Sequence, residues 1–176
     1  MRQLRRKFGR SRRVILVQKG LAERPGEKEL FISSAKTISS ISKDWIAAVT
    51  ESGRFSAYKW STSEVIATTT LDVLIEKYGV PQFCKVDVEG AELEVLKGLT
   101  RPIKALSFEF APEFVHGALE CIEHLSAIGK SEYNYSIGES MRWVRSEWVS
   151  GQEMADILLK LPDRSIFGDV YVRFLE

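Results

Sequence analysis

The sequence predicts an α/β fold in which a mostly parallel, doubly wound sheet ends in an antiparallel edge. Strand-like and helix-like segments alternate through the middle of the 176-residue chain, which is typical of a parallel sheet with helices on both faces. Two of the strand-like segments are nearly continuous apolar runs, as expected for strands buried on both sides. Two further strand-like segments close the chain, and they indicate the antiparallel edge.

The first part of the chain has the least regular pattern. Residues 14–18 predict a short buried strand, and residues 28–33 predict a half-exposed strand after a Pro-Gly turn. The stretch 33–63 is rich in Ser, Thr and Lys, so it predicts irregular structure with a short helix around 44–50. Residues 64–68 then predict a strand.

Regular alternation begins at Thr70, whose hydroxyl is placed to cap a helix that ends at Gly79. A buried strand at 83–88 follows, then a helix that starts at Glu89 and stops at Gly98. Because that helix provides the crossover that parallel neighbours need, the strands at 83–88 and 105–111 are predicted to be adjacent and parallel. The remaining predictions are a helix over 112–128, strands at 133–137 and 169–174, and a helix over 152–161 between those two strands.

Composition excludes several classes of protein. No apolar run approaches the roughly 18 residues that span a bilayer, so no membrane anchor is expected. Cys84 and Cys121 form no ligand spacing and no disulfide framework, and we interpret them as reduced core thiols, which fits a cytoplasmic location. His116 and His124 are eight residues apart and lack zinc-site spacing. They are interpreted as part of a solvated polar face, and no metal is predicted.

The N-terminal 13 residues carry seven of the 25 basic groups and none of the 24 acidic groups. We interpret this stretch as the solvated side of a helix whose buried stripe contains Leu4 and Phe8. Contact with nucleic acid or another acidic surface is the alternative. The acidic remainder of the chain argues against a nucleic-acid partner.

Two acids lie toward the carboxyl ends of the two apolar strands, Asp87 on the first and Glu109 on the second. Ligands of open α/β sheets bind at that edge, and neighbouring strands are about 4.8 Å apart, so both acids are expected to face one cleft. Asp87 is then a candidate general base, ligand orienter or metal ligand, with Glu109 assisting. Alternatively, each acid caps a helix or pairs with Lys85 or Lys104.

The segment that follows Asp87 has a structural explanation as well as a functional one. Glu89 and Glu92 would lie in the first turn of a helix, where the helix dipole favours acids. Gly90 between them permits close approach of another group to the backbone.

Three segments resemble the FkbM-type methyltransferase family in order and spacing: TTLDVLI at 69–75, KVDVEGAE at 85–92 and VLKG at 95–98. Residues 106–110 fit the next strand of that family, which ends in its acid at Glu109. The segment with Gly20, Gly26 and Ser40 resembles the preceding part more loosely.

The resemblance implies a class I, Rossmann-like methyltransferase fold that uses S-adenosylmethionine. Family members mostly methylate hydroxyl groups of sugars, polyketides or related metabolites, so a small-molecule or sugar acceptor is expected. Under this resemblance Asp87 is the base or substrate orienter, with Glu109 as its catalytic partner. Glu89 and Gly90 are the candidate cofactor-binding residues.

The family opens with a strand, a glycine-rich turn and a second strand that ends in an acid for the cofactor ribose, and no such pattern precedes Val14. We therefore expect residues 1–176 to form one domain that lacks its first two strands and binds S-adenosylmethionine weakly or not at all. The edge of the strand at 83–88 would be unpaired, which favours self-association through that edge. A non-catalytic remnant that acts as a binding or interaction module is the alternative function.

Overall fold

A computed structural model describes residues 2–162 and 165–175 of the chain, and the strands in this part form two sheets. The first sheet has three strands: β1 (Gly20–Leu21), β2 (Gly26–Ser33) and β3 (Trp60–Thr69). The second sheet has four: β4 (Cys84–Val86), β5 (Ala105–Phe110), β6 (Ser131–Ile137) and β7 (Gly168–Phe174). The strand orders are β1-β3-β2 and β4-β5-β7-β6.

Among the described residues, six α-helices connect or precede these strands: α1 (Arg2–Phe8), α2 (Lys43–Glu51), α3 (Leu71–Tyr78), α4 (Glu92–Leu96), α5 (Val115–Ile128) and α6 (Gly151–Leu159). Short 3-10 turns occupy Lys36–Ile38 and Pro112–Phe114. Three helices begin after a hydroxyl side chain that accepts a hydrogen bond from the backbone three residues on, namely Ser42, Thr70 and Ser150. Within the described part of the chain, none of the helices has the length and apolar character needed to cross a bilayer.

Strand pairing confirms two predictions and corrects a third. β4 and β5 are adjacent and parallel, with Val86 opposite Phe108, and β7 runs antiparallel to both β5 and β6, which forms the predicted antiparallel edge. The prediction of a mostly parallel sheet is wrong for the described residues, since only β1–β3 and β4–β5 pair in parallel. The reason is that β7 runs back between β5 and β6, while β2 and β3 form a long antiparallel ribbon.

The apolar core of the second sheet lies on one face. Leu106, Phe108 and Phe110 alternate with Ser107 and Glu109 along β5, and only the first set joins the core. Helices α3 to α6 add buried residues to the same cluster. In the described ranges, the expectation that apolar side chains are buried on both faces of this sheet is therefore wrong, because the second face carries polar side chains, of which Ser107 and Asn134 are buried.

The N-terminal segment differs from both of its predictions. Residues 14–18 are not a strand and Ile15 is 64% exposed, since β3 pairs in parallel only with the two residues of β1. The helix α1 forms, but it has no buried residue and Leu4 is 44% exposed. The predicted buried stripe is therefore wrong. Helix α1 contacts the following segment through a 3.0 Å hydrogen bond from Arg5 Nη2 to Gln18 Oε1.

The cysteines and one histidine have structural roles. Cys84 is half-buried, Cys121 is buried, and neither is in a disulfide. Burial raises the pKa of both thiols, which fits their interpretation as core residues. His124 Nε2 lies 2.9 Å from the carbonyl oxygen of Leu96, so this side chain joins α5 to the end of α4 and the solvated-face interpretation is wrong for it.

Candidate active site at the carboxyl ends of β4 and β5

A tight turn replaces the predicted helix start after β4. Glu89 and Gly90 have φ values of +53° and +84°, so neither can belong to a right-handed helix, and α4 begins at Glu92. Glu92 Oε1 accepts hydrogen bonds from the backbone N–H of Val88 and of Gly90, at 3.3 and 3.2 Å. The buried Glu92 side chain therefore closes the turn. A left-handed conformation at a glutamate costs about 1 kcal/mol, and such strain is common at functional sites.

Two residues from the N-terminal half hold this turn in place. Ser40 Oγ donates a 2.6 Å hydrogen bond to the carbonyl oxygen of Glu89. A Cβ on Gly90 would lie 2.1 Å from the Trp45 ring, so the indole of α2 packs directly on the glycine. The close approach expected at Gly90 is thus made by a protein side chain. A cofactor role for Gly90 stays a prediction.

Three carboxylates meet at this edge of the sheet. Oxygens of Asp87, Glu89 and Glu109 all lie within 4.8 Å of one another, and we call these residues the carboxylate cluster. The parallel register of β4 and β5 places Asp87 beside Glu109, which confirms that the two acids share one edge. The side chain of Asp87 is 49% exposed. Burial therefore affects the two glutamates more than it affects Asp87.

The two glutamates of the cluster hold their protons more tightly than ordinary carboxyl groups. Burial, and then the charges of Glu89, Asp87 and Glu92, raise the pKa of Glu109 to about 8. Burial, followed by the charges of Asp87 and Glu92, raises the pKa of Glu89 to about 7. Groups that titrate in this range can exchange protons with a substrate at neutral pH.

The lysines proposed as alternative partners of the acids have other main contacts. Lys85 Nζ lies 2.6 Å from Asp169 Oδ1 and 3.6 Å from Asp87 Oδ2, so its closer partner is on β7. Lys104 Nζ donates to Gln82 Oε1 at 3.0 Å. Asp87 is therefore only loosely paired and stays accessible.

Two residues that no sequence pattern marked, Arg54 and Glu113, lie near the cluster. Arg54 Nη1 is 3.1 Å from Glu113 Oε2, and with Phe167 they help to line a groove of about 710 Å³. Arg54 lies in a stretch predicted to be irregular, where no periodicity marks it. Glu113 follows Glu109 by four residues, and this closeness to a strand end was the available signal.

A second cavity adjoins the cluster. It has a volume of about 210 Å³, and Asp87 and Glu89 line its polar side. Its apolar lining includes Leu21, Leu30 and Ile66 of the first sheet. This site combines carboxylates with an apolar wall and therefore suits a ligand that has both a positive charge and an apolar group.

The donor set of the carboxylate cluster consists of hard oxygen atoms. Three carboxylates that converge in this way could also accept a divalent cation such as Mg²⁺ or Ca²⁺. The expectation that no metal is bound stays a prediction, and it can be tested with a chelator.

The sequence segments that carry the family resemblance pack against one another. The N–H of Asp72 donates to the carbonyl oxygen of Gly98 at 3.0 Å, and Thr100 Oγ1 donates to Asp72 Oδ2 at 2.6 Å. A Cβ on Gly98 would lie 2.5 Å from the carbonyl oxygen of Ala22. The first and third of these segments are therefore joined by tight contacts between the start of α3 and the end of α4.

Comparison with known proteins identifies the family. A family model described as the methyltransferase FkbM domain matches residues 10–160. The matched stretch covers most of the chain and contains every residue of the carboxylate cluster. A search of curated proteins finds no match. The chain belongs to the FkbM methyltransferase family.

Proposed function

We propose that this protein transfers a methyl group from S-adenosylmethionine to a hydroxyl group of a small acceptor, such as a hydroxylated metabolite or a sugar. Membership of the family supports methyl transfer as the reaction class. The observation that carries the proposal is the carboxylate cluster. It joins an accessible aspartate to two glutamates with pKa values near neutral.

The role of the cluster is to receive the proton of the acceptor. S-adenosylmethionine supplies an electrophilic methyl group on a positively charged sulfur. Asp87 is the exposed member of the cluster, so it accepts the hydrogen bond of the acceptor hydroxyl and takes its proton as the oxygen becomes methylated. Burial and the neighbouring acids raise the pKa of Glu109 to about 8, so Glu109 is a member of the cluster that can hold a proton near neutral pH. A carboxylate base of this kind contributes about 100-fold or more to the rate.

The residues beside the cluster fit the chemistry of the cofactor. S-adenosylmethionine carries a sulfonium and an ammonium group, both cations that carboxylates stabilise, and it has a purine that suits an apolar wall. Glu89, on the polar side of the 210 Å³ cavity, is the residue that we assign to the cofactor. Gly90 follows Glu89 in the turn with a positive φ, and the Cα of Gly90 is covered by Trp45. Gly90 thus contributes by shaping the turn.

The groove beside Arg54 is the site that we assign to the acceptor. Its lining includes the apolar surfaces of Pro112 and Phe167, the hydroxyl of Ser52 and the paired charges of Arg54 and Glu113. Such a surface can stack against one face of a small ring and exchange hydrogen bonds with its hydroxyl groups. Arg54 and the glutamates of the cluster influence one another electrostatically, which supports a connection between groove and cluster.

The test is transfer of a labelled methyl group to a panel of hydroxylated small molecules, with the cofactor at millimolar concentration to fill a weak site. Asp87→Asn should lower transfer by about 100-fold or more, whereas its free energy of unfolding should stay within about 1 kcal/mol of the wild type, because Asp87 is exposed. Glu123→Gln, on the exposed side of α5, is the matched control. Addition of EDTA tests the expectation that no metal takes part.

Each outcome discriminates between the two candidate functions. Full activity of Asp87→Asn would make that residue structural and contradict the proposed site. Absence of transfer by a folded wild-type chain would favour the alternative, a non-catalytic binding module. The exposed basic helix α1 is the surface that such a module would offer to an acidic partner.

A further inference from the structure

Residues 2–18 form an exposed basic segment, which we call the basic arm. Its cations are all exposed, and they are Arg2, Arg5, Arg6, Lys7, Arg10, Arg12 and Arg13. The arm contains no acidic residue. Within the described part of the chain, none of its cations forms an ion pair with a carboxylate from elsewhere. The described carboxylates therefore leave the positive charge of the arm without a partner.

Aliphatic side chains are exposed in the same segment. Ile15 is 64% exposed, and Val14 and Val17 are 37% and 36% exposed. Residues 14–18 are not part of a strand, so their side chains stay open to solvent. Leu4, on α1, is 44% exposed. Large aliphatic side chains that are exposed together typically mark a surface that binds a partner.

The arm folds back on itself, which brings its cations and its aliphatic side chains to the same part of the protein. Helix α1 ends at Phe8, and a turn follows in which the N–H of Ser11 donates to the carbonyl oxygen of Phe8 at 2.8 Å. The 3.0 Å hydrogen bond from Arg5 Nη2 to Gln18 Oε1 then joins the helix to the end of the aliphatic run. The arm therefore presents positive charge and aliphatic surface together.

The rest of the chain has the opposite charge balance. Residues 19–176 hold 18 basic groups and 24 acidic groups, whereas the arm holds seven basic groups and no acid. A negatively charged surface therefore attracts the arm and repels the remainder of the protein. This asymmetry orients the protein with the arm toward such a surface.

The apolar side chains of the arm favour a lipid bilayer over a nucleic acid as the negatively charged partner. Surfaces that bind single-stranded nucleic acid combine cations with aromatic rings that stack on the bases. The only aromatic residue of the arm is Phe8, which is half-buried and has Lys7 Nζ at 5.1 Å from its ring centre. Aliphatic side chains instead gain free energy when they leave water for the acyl region of a bilayer.

We propose that the basic arm attaches the protein to the surface of a bilayer that contains anionic phospholipids. Its cations bind the headgroup phosphates, and Ile15 with its aliphatic neighbours enters the interface between headgroups and acyl chains. Stable attachment needs both kinds of contact, and the arm supplies both. It requires no helix that spans the bilayer, and it is independent of the proposed methyl transfer.

Cosedimentation with lipid vesicles tests this proposal. Vesicles of phosphatidylcholine and phosphatidylserine at about 3:1 should bind the full chain, and vesicles of phosphatidylcholine alone should bind it at least about 100-fold more weakly. The difference is expected because each basic residue near an anionic bilayer strengthens binding by about fivefold. Equal binding to the two kinds of vesicle would overturn the proposal.

A triple variant tests the contribution of the arm's charge. Replacing three of its arginines should weaken binding to the anionic vesicles by about 100-fold, through Arg6→Gln, Arg10→Gln and Arg13→Gln. Lysine at the same three positions keeps the charge and should bind within about threefold of the wild type. A control makes the same change in net charge at exposed positions outside the arm, through Arg24→Gln, Arg101→Gln and Arg142→Gln. This control should weaken binding by less than about threefold, because salt screens charges that lie far from the bilayer.

A single variant tests the contribution of the aliphatic side chains. Ile15→Ala should weaken binding to the anionic vesicles by about fivefold or more, because it removes apolar surface that enters the bilayer interface. Val65→Ala is the matched control, since Val65 is 70% exposed on β3, outside the arm. It should leave binding unchanged. Equal binding by Ile15→Ala and the wild type would overturn the insertion of the aliphatic run.

The other partners of the arm give different results. Tighter binding to a DNA or RNA oligonucleotide than to the anionic vesicles, at the same salt concentration, would assign the arm to nucleic acid and overturn the proposal. A lipid-free dimer that Ile15→Ala dissociates would make the aliphatic run a contact between two copies, which would overturn it as well. Helix α1 has no buried residue, so the arm variants should keep the fold, as circular dichroism can verify. Wild-type binding by the folded glutamine triple variant would also overturn the proposal.

Discussion

Replacing Glu109 by glutamine should make the protein more stable at alkaline pH. Burial and neighbouring acids raise the pKa of Glu109 to about 8 from the usual 4.5 of a glutamate. The folded state therefore binds this proton more tightly than the unfolded state. The stabilisation is present in full below about pH 4.5 and is lost as the pH rises through about 8. A neutral glutamine of the same shape avoids that loss.

The size of the effect follows from the pKa values. A difference between 4.5 and about 8 corresponds to a ceiling of about 5 kcal/mol, at about 1.4 kcal/mol for each pKa unit. Glu109 is half-buried, so water screens part of this interaction, and we expect about 2 kcal/mol. At about pH 5 the carboxyl of the folded wild type is still neutral and only the unfolded state has begun to ionise, so the two proteins should differ by less than about 1 kcal/mol.

Urea unfolding at about pH 5 and about pH 9 measures this difference. Glu123→Gln, which removes an exposed acid from α5, should leave the free energy of unfolding unchanged relative to wild type at both values. The reasoning would be refuted if Glu109→Gln differed from the wild type by the same amount at both pH values. The proton affinity of Glu109 would then be ordinary, and the three carboxylates could not lie as close together as described.

Two further predictions concern packing and association. Gly90→Ala should lower the free energy of unfolding by about 3 kcal/mol, because it adds strain at a φ of +84° and displaces the Trp45 ring. Gly53→Ala has a similar φ of +77° in open space, so a thermal melt should show a loss of only about 1 kcal/mol; equal losses would contradict the packing argument. Self-association should occur through β4, which is an edge strand in the described sheet and follows the 48% exposed Phe83. Sedimentation should show a concentration-dependent dimer that Phe83→Glu abolishes and Val80→Glu does not, and a monomer at every concentration would contradict this prediction.

Local features of the sequence determined the elements that lead to the site. Two apolar runs with a helical segment between them predicted the parallel pairing of β4 and β5. Parallel neighbours need a crossover segment, usually a helix, whereas a short hairpin would join antiparallel ones. The shared edge of Asp87 and Glu109 follows from that pairing alone. The two ends of α3 were also predictable from neighbouring residues, because the Thr70 hydroxyl and the glycine at position 79 each act within one turn of the helix end.

Contacts between distant segments decided the rest. The sequence predicted that Glu89 is helical. Ser40, 49 positions before Glu89, and Trp45, 45 positions before Gly90, instead hold a turn that no local pattern predicts. Arg54 is held by a hydrogen-bonded ion pair with Glu113, which is 59 residues away in the chain. Residues 14–18 had the composition of a strand without a partner strand to satisfy their backbone. A sequence specifies which side chains can cap, pack or pair, whereas only the tertiary structure determines which partners reach them.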